Sequence, residues 1–194
     1  MSDLALINLG CGNLGSVGLA FERLGLRPTI TDAPQVIAQA RRVVLPGVGA
    51  AGFAMERIQA LGLQPLLAGL EQPLLGICLG MQLLFERSEE EDVACLALLP
   101  GTVRKLEPAP TRPVPHMGWS RLDVTARDIG LSHGDYVYFA HSYLCPDGPQ
   151  TAASADYDRV IPAAIRSGNL WGAQFHPEKS AAPGRRFLEA FLSA

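Results

Sequence analysis

The residues best placed to do chemistry sit in three short runs. In the first, Leu74-Leu75-Gly76-Ile77-Cys78-Leu79-Gly80-Met81-Gln82, a cysteine stands between an apolar strand-like run and a helix-period segment, with glycine two residues before it and two after. This is the frame of a nucleophile elbow with sulfur as the nucleophile. The glycines let the backbone turn sharply and display the thiol at the carboxyl end of the strand, and amides at the start of the following helix favour a thiolate. The amide of Leu79 then becomes a natural oxyanion donor. A cysteine without such a frame is more often a small buried hydrophobe, and that reading suits Cys11, Cys95 and Cys145.

The second run is Gln174-Phe175-His176-Pro177-Glu178. His176 and Glu178 are two apart, and proline favours an extended predecessor, so both side chains are expected on one side of an extended segment. Glu178 would fix the imidazole while His176 exchanges protons with Cys78, a triad arrangement. His116, His133 and His141 have no comparable framing. The third run, Leu45-Pro46-Gly47-Val48-Gly49-Ala50, is a glycine-rich turn after another strand. On a neighbouring parallel strand its amides at Gly47 and Val48 would complete an oxyanion hole with Leu79.

The elements that must position these runs read as follows. Leu4 to Leu9, Thr29 to Thr31, Arg42 to Leu45 and Pro73 to Ile77 are predicted strands. A helix carries Leu14, Val17, Phe21 and Leu24 on one face and stops at Gly25, and another spans Leu79 to Arg87. Beyond residue 100, strands are predicted at Val103 to Leu106, Tyr136 to Tyr143, Ala163 to Arg166 and Leu170 to Phe175, followed by a helix marked by Phe187, Leu188 and Phe191. The pattern predicts an α/β fold, a central and mostly parallel sheet flanked by helices with an antiparallel extension. No Ser/Gly linker divides the chain, so residues 1–194 are expected to form one domain.

Gly10-Cys11-Gly12-Asn13-Leu14-Gly15 also matches a dinucleotide-binding GxGxxG, with Asp32 as the candidate ribose partner. Glycines making a tight turn, and Asp32-Ala33-Pro34 starting a helix, explain the same residues without a cofactor. With 194 residues, 16 Lys+Arg against 19 Asp+Glu and a net charge of −3, the chain has no basic excess for nucleic acid or an anionic membrane. The charge-free stretch from Leu4 to Phe21 is interrupted by Asn8, Asn13, Ser16 and four glycines, which argues against a span or a signal segment. Four cysteines without a CxxC pair fit neither a metal site nor a disulfide framework, so no metal and a reducing, cytoplasmic setting are expected.

The runs LPGVGA, GICLGMQ, PHMGW, YFAHSY and QFHPEKS, in that order, resemble the class I glutamine amidotransferases, and among them the glutaminase subunits of imidazole glycerol phosphate synthases. The resemblance spans essentially the whole chain and implies a flavodoxin-like glutaminase domain without cofactor. It implies Cys78 as nucleophile, His176 as general base and acid, Glu178 as orienting carboxylate and the PGVG turn as the oxyanion strand. Gly49, Gln82, Glu90, Ser142 and Tyr143 match positions that bind L-glutamine. Asn13, His116, Met117, Gly118, Trp119, Tyr138 and Lys179 match positions facing a TIM-barrel cyclase subunit in a heterodimer that uses the released ammonia in histidine biosynthesis. The sequence departs from the family at Asn8, Leu9, Ala51 and Ser120. An amidotransferase subunit of another synthase, a stand-alone γ-glutamyl hydrolase and a dinucleotide-binding module on Gly10 to Gly15 are the competing readings.

Overall fold

A computed structural model describes residues 2–194. Its strands are β1 (Ala5–Ile7), β2 (Thr29–Thr31), β3 (Val43–Gly47), β4 (Leu74–Cys78), β5 (Phe85–Ser88), β6 (Val93–Ala94), β7 (Leu99–Lys105), β8 (His116–Val124), β9 (Tyr136–His141), β10 (Tyr143–Leu144), β11 (Thr151–Asp156), β12 (Val160–Ser167) and β13 (Leu170–Ala173). The helices are α1 (Leu14–Glu22), α2 (Pro34–Ala38), α3 (Ala51–Ala60), α4 (Leu63–Ala68), α5 (Leu79–Gln82) and α6 (Ala181–Leu192). Among the described residues, one sheet runs in the order β2-β1-β3-β4-β13-β12-β11-β8-β9, and a smaller one in the order β10-β7-β5-β6. Strands β2 through β13 in the large sheet are parallel neighbours, and β12 onward pair antiparallel. The predicted α/β architecture with an antiparallel extension is therefore the observed one.

Strands β3 and β4 are buried along their whole length, as parallel strands covered on both faces must be. Alternation splits their side chains between two cores: Ala5, Ile7, Val43 and Leu45 join α3 and α4 on one face, while Leu4, Leu6, Val44, Leu75 and Ile77 join α1 and α6 on the other. On that second face Phe187 and Phe191 of α6 meet Trp171 edge-on at 5.9 Å, and Phe187 meets Phe175 at 5.4 Å. Full burial of such a side chain is worth about 1.5–3 kcal/mol, so α6 locks the strand that leads into His176.

Two expectations need correction. The third strand does not stop before Pro46-Gly47 but continues through both, to pair Gly47 with Cys78. The helix expected from Leu79 to Arg87 ends after one turn at Gln82, and Phe85 to Ser88 form β5 in the second sheet. Leu83, Leu84 and Phe85 are completely buried, so their apolar run reflects entry into a core rather than helical amphipathicity.

Candidate active site

Cys78 terminates β4 with φ 54° and ψ −111°, off the region that non-glycine residues prefer. Such strain costs of order 1–3 kcal/mol and is held by close backbone packing. A Cβ at Gly76 would lie 2.5 Å from the Gly80 carbonyl oxygen, and one at Gly80 would run into the Leu45 carbonyl of β3. The elbow thus needs both glycines for close approach. Because α5 is a single turn, it offers the few free amides of that turn instead of the longer helix expected at this point. Cys78 Sγ lies 3.9 Å from the Ala140 carbonyl oxygen and 3.8 Å from Gln174 Nε2.

Gln174 follows directly on β13, whose register sets Gly172 beside Gly76 and Ala173 beside Ile77, so the next step brings it to Cys78. Two residues later His176 faces the same site. Its Nδ1 bonds Glu178 Oε1 at 2.8 Å with both side chains buried. His176 is extended as predicted, but Glu178 lies in a 3-10 turn, Pro177–Lys179. The turn, rather than strand alternation, brings the carboxylate back to the imidazole. Burial opposes a charged imidazole here, yet contacts with the Cys78 sulfur and the Glu178 carboxylate outweigh it and raise the pKa to about 9. At neutral pH the ring holds its proton, so the site at rest contains a proton donor beside Cys78.

A cleft of about 370 Å³ opens over Cys78, within the size range of small-molecule sites. Val48, Gly49, Leu79, Gln82 and Glu90 line it together with Ala140, His141, Ser142 and Tyr143. Gly49 has φ +109°, a conformation other residues rarely adopt. Gly47 is buried against Leu79 and Gly80 and does not reach the cleft wall; Val48 and Gly49 do. Glu90 also holds the start of α3, where its Oε2 accepts from the Ala51 amide at 2.9 Å. Burial pushes the Glu90 carboxyl up, the Ala51 bond pulls it down, and neighbouring Glu91 adds to the rise.

The glutamine amidotransferase class-I family model matches residues 13–194. The chain belongs to the class-I glutamine amidotransferase family. It is 51% identical, over 99% of its own length and 98% of the relative's, to the imidazole glycerol phosphate synthase subunit HisH of Xanthomonas campestris pv. campestris (strain 8004). It is 49% identical, over the same shares, to the subunit of that name from Xylella fastidiosa (strain 9a5c). Among solved structures it is similar to a glutamine amidotransferase (TM-score 0.76, 19% identity, 98% of this chain and 99% of that one). It also resembles a glutamine amidotransferase from Thermotoga maritima (TM-score 0.61, 19% identity, 98% and 82%). At those identities the structures speak for the fold.

The remaining predicted positions of this amidotransferase divide into two groups. Asn13 and Lys179 are exposed, Met117 and Trp119 strongly so, Gly118 and Tyr138 partly. Lys179 Nζ sits 5.6 Å from the centre of the Tyr138 ring, which meets Trp119 edge-on at 6.0 Å. His116 departs from this group: it is 1% exposed and stacks on Phe139 and Tyr157. Strand alternation turns it inward while Met117 turns outward. The GxGxxG loop is bound by its own side chains, Asn8 Oδ1 accepting from Gly10 N and Asn13 Oδ1 from Ser16 N, and Ala33 rather than Asp32 caps α2. Glycine turn chemistry accounts for that motif.

The four departures also find places. Asn8 ties the first loop and Leu9 is buried with its carbonyl on Arg57. Ala51 is completely buried at the first position of α3, and Ser120 Oγ bonds His116 Nε2 at 2.8 Å. Sequence reasoning gave no role to Gln174 or His141; the glutamine's place before the HPE motif was the only available signal. Among the described residues no cluster suits a metal ion, and no helix is long and apolar enough to cross a membrane.

Proposed function

We propose that this chain is the glutaminase subunit of an imidazole glycerol phosphate synthase. In this reading it hydrolyses L-glutamine to glutamate and ammonia and passes the ammonia to a TIM-barrel cyclase subunit in histidine biosynthesis. The observation that carries the chemistry is the Cys78 elbow beside a buried His176–Glu178 pair. The match along almost the whole chain to synthase subunits supports the pathway and the partner.

In this reading the Cys78 thiolate attacks the glutamine carboxamide, and the amides of Val48 and Leu79 receive the oxyanion. Gly47 serves by holding their turn against α5. His176 gives its proton to the departing ammonia, leaving a thioester of glutamate, and then as a neutral base takes a proton from the water that hydrolyses it. Glu178 keeps the imidazole oriented and stabilises its positive form. Glu90, Gln82, Ser142, Tyr143 and Gly49 border the cleft where the amino-acid end of glutamine would lie. Residues 1–194 act as one domain, and Asn13, Met117, Gly118, Trp119, Tyr138 and Lys179 form the face for the cyclase.

The test is glutamate production by the purified chain with and without a cyclase subunit. Cys78→Ala is expected to abolish it while the complex still makes product from added ammonium salts. Glutamate release by C78A would refute the assignment.

A further inference from the structure

We infer that Gln174 is a further catalytic residue, an amide donor on the Cys78 sulfur, oriented by Gln82 and the Tyr143 carbonyl and anchored by the buried pair His141–His116. The inference rests on Cys78 being the nucleophile. Amide orientation is not free here. The Tyr143 carbonyl can only accept, so the Gln82 atom 3.0 Å from it is the NH2 group. The same Nε2 lies 3.0 Å from a side-chain atom of Gln174, which must therefore be that amide's oxygen. The Gln174 NH2 is then the end that reaches Sγ, at 3.8 Å. Gln174 is completely buried and Gln82 almost so, and a donor kept dry acts more strongly on a developing anion than one facing water.

The same logic fixes two tautomers. His141 Nδ1 is 2.7 Å from the Tyr143 carbonyl and must carry a proton, and in the neutral ring its Nε2 is then bare. His116 Nδ1, 3.1 Å from that nitrogen, must donate, which leaves His116 Nε2 to accept from Ser120 Oγ at 2.8 Å. Burial keeps both rings neutral at physiological pH, pushing His141 down to about 3 and His116 to about 4. The Tyr143 carbonyl is thereby held from two sides, by His141 and by Gln82. Gln82 spends both protons on protein acceptors and presents its oxygen as its remaining hydrogen-bonding atom.

Two measurements on the full chain test this. Iodoacetamide labelling of Cys78 at pH 6, read by peptide mapping, is expected to slow about tenfold in Gln174→Met and in Gln174→Glu, because a hydrogen bond to a charged group is lost in the first and a carboxylate replaces it in the second. Gln82→Met is expected to show a smaller loss that adds nothing once Gln174 is replaced, since its effect runs through that amide. Labelling of either Gln174 variant at the parental rate overturns the inference. Fast labelling of Cys78 in the parent tests the nucleophile separately, so the two failures are distinguishable. Nitrogen-15 spectra of the parent need no variant to fold: they are expected to show protonated Nδ1 and bare Nε2 at both His116 and His141. A protonated Nε2 on either ring overturns the anchoring.

Discussion

At the residue scale the site is a proton arrangement prepared before substrate arrives. His176 is held protonated by Cys78 and Glu178 against the pull of burial. A raised pKa keeps the imidazolium of the free enzyme up to about pH 9, so activity that needs this proton is expected to fall as pH rises through that value, giving an alkaline limb in kcat/KM. Glu178→Gln removes one of the groups that raise it. The limb should move to lower pH and kcat should fall by about 10²-fold, less than for loss of His176 itself; a limb left at the parental position in a pH–rate series would remove Glu178 from the triad. Selective alkylation offers a second check. Burial raises Cys11, raises Cys95 to about 11 and raises Cys145 well above the ordinary thiol range, so iodoacetamide at mildly acidic pH should label Cys78 first, with half-exposed Cys11 the next to react. The residues of the proposed triad stood out in the sequence because each part is framed locally, by glycines two residues either side or by a proline between partners. Gln174 on Cys78 and Glu90 on Ala51 were not, because their partners lie far away in sequence and only strand register brings them together.

At the element scale the decisive arrangement is two parallel strands ending side by side, with Gly47 opposite Cys78. Beyond that pair the chain at Val48 and Gly49 leaves the ladder and borders the cleft. Proline at position 49 requires φ near −65°, against the observed +109°. Gly49→Pro is therefore expected to rebuild the turn and lower glutaminase kcat by about 10²–10³-fold, the usual cost of a lost oxyanion donor. Val48→Gly should ease rotation of the same peptide planes and raise activity measured without a partner. Basal rates unchanged in both variants would place control of the oxyanion elsewhere. Sequence patterning identified the inner parallel strands β1, β3 and β4, whose apolar runs are continuous, and α6, whose aromatic residues recur at helical spacing. It did not identify β8 or β11. β8 alternates exposed and buried residues around Gly118, and β11 is built on small residues, Thr151-Ala152-Ala153-Ser154-Ala155, whose alternation carries little hydrophobic contrast.

At the scale of the whole molecule, the cleft and the exposed aromatic face share residues. Met117 and Val48 are 63% and 40% exposed and also line the cleft above Cys78. Trp119 follows Met117 two residues along β8, 52% exposed and edge-on to Tyr138. Large aromatic side chains of this kind carry much of the energy of protein interfaces. Trp119→Ala is expected to weaken cyclase binding about thirtyfold or more, read by titration calorimetry; unchanged affinity would move the docking surface off this face. With the proposed docking face, the shared residues would also set the order of events. Any molecule seated on Met117 and Val48 roofs the cleft, so the doorway through which glutamine enters closes as the complex tightens. Loading should accordingly precede full closure, and the entry rate of a reactive glutamine analogue, followed by stopped flow, should drop once the cyclase is in place. Ammonia released beneath such a roof would have its shortest way out through the molecule that forms it.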